Sequence, residues 1–197
     1  MKNILLVGLL FLMGCSVTVP HVVEYRLDPS VDSQKSKESS CREKSLKVGR
    51  VFASNTLMTK SMNYATEKYE LFSYTESEWA ISPSKAIGTA LLKSIRASEN
   101  FSYVSDYRSR SKTDLLLETH VDSFIQHFSN DNKSATVEIT LSLTLLDQKS
   151  LKVSDSKVIS KRVTTPTADA KGGVSAFNSA LKEILLEANA WLAGSCR

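Results

Sequence analysis

The stretch ATVEITLSLTLLD, Ala135 to Asp147, limits the possible folds more than any other part of the chain. Ala135, Val137, Ile139, Leu141, Leu143 and Leu145 alternate with Thr136, Glu138, Thr140, Ser142 and Thr144. Successive strand side chains point to opposite sheet faces, so this period of two demands a strand with one face buried and one wetted. Such a strand needs neighbours at its edges and a cover over its apolar face.

Both neighbours are visible in the sequence. DLLLETHVDSFIQHF, Asp114 to Phe128, precedes it across the polar turn SNDNKS. Leu151 to Thr165 follows across DQKS and is ended by Pro166, which cannot donate to a ladder. The cover comes from two amphipathic helices. Ser82 is a helix N-cap and Pro83 a first helical residue, after which Ile87, Leu91 and Ile95 recur on one face with Ala90 beside them, up to a stop at Asn100. Gly173 to Leu192 repeats the helical period through Val174, Phe177, Leu181, Leu185, Ala188 and Leu192, with Gly194 as its cap.

Upstream, SLKVGRVFAS, Ser45 to Ser54, reads as a buried strand on Leu46, Val48, Val51 and Phe52. Ser61 to Thr66 and Lys68 to Tyr74, joined at Glu67, read as a hairpin, and FSYVS, Phe101 to Ser105, as a short strand. The order predicts a two-layer α/β sandwich, with a mixed, mostly antiparallel sheet and both helices on one face.

The N-terminus follows different rules. Met1, Lys2 and Asn3 lead into an apolar run from Ile4 to Met13, interrupted only by Gly8. About 20 apolar residues are needed to span a bilayer, whereas a signal-peptide core needs about 7 to 15, so this run is too short to span. Gly14 before Cys15, with Leu12 three positions ahead of the cysteine, resembles the bacterial lipobox, although Met13 departs from it. Cys15 is therefore the expected lipid attachment, with residues 1–14 as the signal peptide. Pro29 to Ser45 is rich in Ser, Lys, Glu and Asp, so residues 15–45 read as the lipidated cysteine and a tether. Within it, HVVEYRLDP is a short apolar patch able to pair as an edge strand. Residues 46–197 form the folded domain, one by length.

With Cys15 given to lipid, Cys41 and Cys196 remain. An exported chain with two leftover cysteines invites a disulfide, since extracytoplasmic spaces keep thiols oxidised; two free thiols are the alternative. The formal charge of +4 is too small for the clustered basic face of a nucleic-acid binder. Arg108, Arg110 and Lys112 form one basic patch and Lys157, Lys161 and Arg162 another; either fits anionic headgroups or an ordinary solvated edge.

Catalytic constellations are missing from the sequence. His21 lies in the tether, and His120 and His127 are seven apart on one strand, an odd spacing that puts them on opposite faces unless a bulge intervenes. The Gly172–Gly173 pair lacks both the P-loop ending and the dinucleotide spacing and reads as a flexible helix lead-in. Glu118 and Asp122 share the wetted face. No enzyme activity, metal or cofactor is expected. What stands out is aromatic crowding: Tyr64, Tyr69, Phe72, Tyr74 and Trp79 are five of the fifteen aromatic residues. They fit either a partner contact or packing under the first helix.

The lipobox, then YRLDP, LKVGRVFAS, SMNY, YELFSYTESEWAISPSKAI, LLKSIRASENFSYV, TDLLLETHVDSF and AFNSALKEILLEANAWL, in that order, resemble the ABC-type transport auxiliary lipoprotein family. The resemblance implies a non-enzymatic domain similar to the α/β unit at the N-terminus of TolB. It also implies, as partners, an ABC ATPase and permease with a mammalian-cell-entry-type substrate-binding protein in a lipid transport system of the envelope. A homo-oligomer is compatible with it. Cys15 matches the family's lipid-attachment position, and Ser16 after it favours the outer membrane. A lipid-binding periplasmic carrier and an outer-membrane assembly lipoprotein serving a β-barrel are the competing readings.

Overall fold

The computed structural model describes residues 21–30, 39–66 and 70–196. In chain order its elements are β1 (Val23–Tyr25), β2 (Ser45–Ala53), a 3-10 turn (Asn55–Met58), β3 (Ser61–Ala65), β4 (Phe72–Trp79) and α1 (Pro83–Ser98). They continue with β5 (Tyr103–Asp106), β6 (Leu115–Phe128), β7 (Ala135–Asp147), β8 (Lys152–Thr164) and α2 (Ala170–Gly194). The eight strands form one mixed sheet.

Strand β6 is the spine. Along one side it pairs antiparallel with β7, which pairs antiparallel with β8. Its other side is shared by two shorter strands. The N-terminal half takes β2 in parallel, with β5 outside it, and the C-terminal half takes β3 in parallel, with β4 and then β1 beyond. The 3-10 turn is the joint at which the chain passes from the first half to the second, and no sequence pattern announced it.

The alternation in β7 has the expected effect: Val137, Ile139, Leu141 and Leu145 are wholly buried and Leu143 nearly so. Both helices lie on this apolar face, and α1 contributes Ile87, Leu91 and Ile95, all buried. At about 1.5 to 3 kcal/mol each, those three side chains account for most of the reason α1 docks. The helix ends one residue before the expected stop at Asn100, with Glu99 in the left-handed conformation (φ 54°) and its amide donating to the Arg96 carbonyl.

Three bulges change the sequence reading. Asp122 is an extra residue in β6, since Val121 pairs with Leu141 and Ser123 with Thr140. The bulge turns the odd spacing around, so His120, opposite Ser142, and His127, opposite Thr136, share the outer face. They remain about 20 Å apart by strand rise, too far to share a metal. Among the described residues no group of three His, Cys, Asp or Glu is placed to hold one. A second bulge, at Gly49 and Arg50 in β2, leaves Val51 buried but turns Phe52 outward, 55% exposed. The third, at Ser154 in β8, points Asp155 inward, where its Oδ2 accepts from Trp191 Nε1 at 2.8 Å and from Ser195 Oγ at 3.0 Å.

Helix α2 starts three residues before the expected Gly173. Asp169 is the N-cap, its Oδ1 accepting from the Gly172 amide at 2.7 Å. The glycine pair therefore lies inside the first turn instead of in a flexible lead-in. A Cβ on Gly172 would meet the Thr167 carbonyl oxygen at 2.1 Å, and one on Gly173 would meet Gln126 Oε1 at 2.2 Å. Gly172 is required by the close approach of the Thr167 backbone, and Gly173 by the buried Gln126 side chain pressed against it. At the other end Gly194 is helical and Ser195 is the cap, in a right-handed conformation.

The domain also extends N-terminally past Leu46. Strand β1 is the outer strand beside β4, and Pro29 is buried. The Asp28 amide donates to Asn178 Oδ1 on α2 at 2.8 Å. The turn at Ser40 to Glu43 lies against the end of α2, where the Ser40 amide donates to the Ala193 carbonyl at 2.9 Å. A disulfide joins Cys41 to Cys196 with their Cα atoms 5.0 Å apart.

Candidate functional site

The structure divides the aromatic group predicted from sequence. Trp79, at the end of β4, is only 2% exposed and forms core with Phe124 and Phe177, ring centroids 5.8 and 5.7 Å away. Phe124 and Phe177 stack at 4.1 Å. For Trp79 the packing reading holds, although its cover is α2 instead of the first helix.

Tyr64, Phe72 and Tyr74 form a second cluster near the end of the sheet. Tyr64 is its hub, with ring centroids 4.7 Å from Tyr74, 5.6 Å from Phe72 and 5.2 Å from Phe128. Strand pairing explains the gathering: Tyr64 lies opposite Phe72 on β4 and opposite Gln126 on β6, two residues before Phe128. Phe128 was not singled out in the sequence. The parallel pairing of β3 with β6 brings it in across a long separation that no local pattern encodes. Tyr69 lies outside the described residues, as does Cys15.

The cluster grades from buried to open. Tyr74 is half-buried, and burial, helped by the nearby Tyr64 and Asp169, pushes its phenol well above the usual tyrosine range. It therefore stays a donor, and its hydroxyl donates to Gln126 Oε1 at 3.2 Å. Gln126, only 1% exposed, uses its Nε2 to donate to the Asp169 carbonyl at 3.1 Å, so the cluster's inner side is fixed to the cap of α2. At its outer side Phe72 is 43% and the adjoining Leu71 54% exposed.

The strand edge beside this cluster is unpaired. Strand β1 covers only Ser77, Glu78 and Trp79, so among the described residues no strand lies outside Phe72 to Glu76. Unpaired edge amides and carbonyls are a template for another strand, and exposed aromatics next to them supply side-chain contact area. Lys60 links the covered part, with its Nζ 2.9 Å from Glu24 Oε1 and 3.4 Å from Glu78 Oε1. Among the described residues the cluster offers a phenol kept protonated, aromatic rings and open strand backbone, the elements of a binding surface.

The sequence pattern of the ABC-type transport auxiliary lipoprotein component family matches residues 25–188. The chain belongs to that family. The matched range begins inside β1, in keeping with the docked N-terminal segment. The fold is similar to that of protein XCC0632 from Xanthomonas campestris, with a TM-score of 0.77 at 18% identity, covering 87% of this chain and 95% of that one. A crystal structure described only as an uncharacterized protein gives a TM-score of 0.66 at 14% identity, covering 86% of this chain and 97% of that one. At these identities the likeness concerns the fold. No curated protein matches the sequence. As an ABC-type transport auxiliary lipoprotein, the chain is a cell-envelope lipoprotein associated with ABC transport. Among the described residues no helix is long and apolar enough to cross a membrane.

Proposed function

We propose that this lipoprotein is a non-enzymatic docking component of an ABC/mammalian-cell-entry-type lipid transport system. Cys15, freed by cleavage after Gly14, carries the lipid anchor and holds the protein on the periplasmic side of the outer membrane. The unpaired edge of β4, flanked by Phe72, Tyr64 and Tyr74, receives a strand of the substrate-binding protein. The observation that carries this reading is the coincidence of an open strand edge from Phe72 to Glu76 with exposed apolar side chains at the same place.

The tagged lipoprotein, cross-linked and purified from solubilised membranes, should bring down a mammalian-cell-entry-type protein or an ABC subunit. Phe72→Asp should abolish that recovery while leaving the melting temperature nearly unchanged, since Phe72 is largely outside the core. Recovery of a β-barrel in place of transporter subunits would refute the assignment. Cys15→Ser should move the protein from the membrane to the soluble fraction, and unchanged membrane retention would refute lipidation at Cys15.

A further inference from the structure

A cavity of about 530 Å³ opens on the opposite flank of the domain, against α1. Its origin is topological. Strand β5 pairs with β2 only as far as Asp106 opposite Val48, whereas β2 runs on to Ala53. The chain leaves a notch there, with α1 as one wall, the 3-10 turn as an end and the loop after β5 as the other side. The volume falls within the roughly 300 to 1,000 Å³ of small-molecule sites.

The walls of the notch are of two kinds. Met58, Ile81 and Tyr107 are between 43% and 49% exposed, an unusual amount of apolar surface for three side chains facing one cavity, and Leu92 continues it along α1. Against them stand Arg50, Lys85 and Arg108, with Asp106 as the one carboxylate in the lining; three cations less one anion leave two positive charges. Asp106 is already engaged, its Oδ1 accepting from the Arg108 amide at 2.7 Å. Arg108 is held in place, its guanidinium 5.3 Å over the Tyr107 ring and its Nε donating to the Tyr107 hydroxyl at 3.1 Å. Among the described residues neither Arg50 nor Lys85 has a carboxylate partner.

From this charge complementarity we infer that the notch binds an anionic amphiphile, with a carboxylate or phosphate head against Arg50, Lys85 and Arg108 and an aliphatic tail along Met58, Ile81 and Leu92. Guanidinium groups suit such heads because they present two parallel donors to two oxygens. A purely apolar ligand would leave the cations unused, and a free anion would leave the apolar walls wet. This site is separate from the β4 edge and does not depend on the docking role proposed there.

The test uses the mature chain with Cys15→Ser, so that no attached lipid competes. Isothermal titration with oleate and lysophosphatidylglycerol as anionic probes is compared with lysophosphatidylcholine and inorganic phosphate. One-to-one binding of the anionic amphiphiles, at least about tenfold tighter than lysophosphatidylcholine, is expected. The double charge reversal Arg50→Glu/Arg108→Glu should weaken it by at least about tenfold, and Thr89→Trp, which fills the notch from an exposed α1 position, should abolish it. Unchanged circular dichroism and melting temperature would establish that both variants fold. Equal binding of the zwitterionic probe, binding of phosphate alone, binding of an acidic peptide in place of the amphiphiles, or affinity indifferent to the charge reversal would each overturn the assignment.

Discussion

Replacing both Cys41 and Cys196 by alanine should cost the domain several kcal/mol, chiefly through the unfolded state. The two cysteines are 155 residues apart in sequence, so the bridge closes nearly the whole domain into one loop. The chain-entropy relation gives about 5 kcal/mol for a loop of that size, and native strain or residual unfolded structure brings the working figure to about 3 to 5 kcal/mol. The folded geometry should survive, because other bonds hold the same ends together. The Ser40 amide donates to the Ala193 carbonyl at 2.9 Å, its Oγ to the same carbonyl at 3.1 Å, and the Cys196 amide to Ser40 Oγ at 3.3 Å. Against a total stability of about 5 to 15 kcal/mol the loss is large but survivable. Urea unfolding followed by tryptophan fluorescence suits the question, since Trp79 is buried and Trp191 half-buried. The midpoint should fall, and the slope against urea should rise, because an uncrosslinked unfolded chain exposes more surface. In thermal unfolding the same loss corresponds to roughly 10 °C for a domain of this size. An unchanged midpoint and slope would refute the reasoning, as would a variant whose native spectrum is already lost in buffer.

Asp169→Ala removes the cap of α2 and should destabilise by about 1 kcal/mol in chemical unfolding, with Asp169→Asn retaining most of it. The Gly172 amide holds the Asp169 carboxyl below the usual carboxylate range. A depressed folded value means that this stabilisation is present above the ordinary pKa and is lost as pH falls through the folded one, so the two unfolding curves should converge in acid. Gly172→Ala should cost about 2 kcal/mol or more despite the better helix propensity of alanine, because the new Cβ meets Thr167 backbone at 2.1 Å; a neutral melting temperature would contradict that contact. Glu187 accepts from Lys161 and Lys157, each at 3.0 Å, and Lys161 first, then Lys157, lower its pKa. With 35% of the Glu187 side chain exposed, Glu187→Gln should cost at most about 1 kcal/mol in urea unfolding, the difference fading in 1 M salt and as the pH falls below the ordinary glutamate range.

The sequence was most informative where one physical signal acted alone. The alternation from Ala135 to Leu145 and the four-residue recurrence of Ile87, Leu91 and Ile95 each reflect burial on one side of one element, and both survive in the structure. It was least informative where two distant segments decide together. The bulge at Asp122 is set by pairing with Leu141 and Thr140, so the face on which His127 lies could not be read from its spacing to His120. Gly172 and Gly173 are small because Thr167 and Gln126 press on them, a contact between the start of α2 and both its own lead-in and β6. The docking cluster shows both cases. Its aromatic content was plain, but the division of Trp79 into the core and the recruitment of Phe128 depend on which half of β6 receives β3.

The docked segment from His21 to Ser30 also changes what the anchor can do. If the chain were a free tether from Cys15 to Ser45, thirty residues at about 3.5 Å each would let the domain roam roughly 100 Å from the bilayer. Strand β1 instead fixes Val23 beside Ser77, with the Ala80 amide donating to the Tyr25 carbonyl at 2.7 Å. Val23 lies only eight positions after Cys15, a span of at most about 28 Å. A lipid on Cys15 would therefore hold β4, and with it the open edge from Phe72 to Glu76, near the membrane surface. A partner reaching that edge must approach along the bilayer or present its strand close to it. Lengthening the link between Cys15 and His21 by about 20 Gly/Ser residues should leave folding untouched while reducing cross-linking to such a partner. Undiminished cross-linking would mean that the short reach has no part in docking.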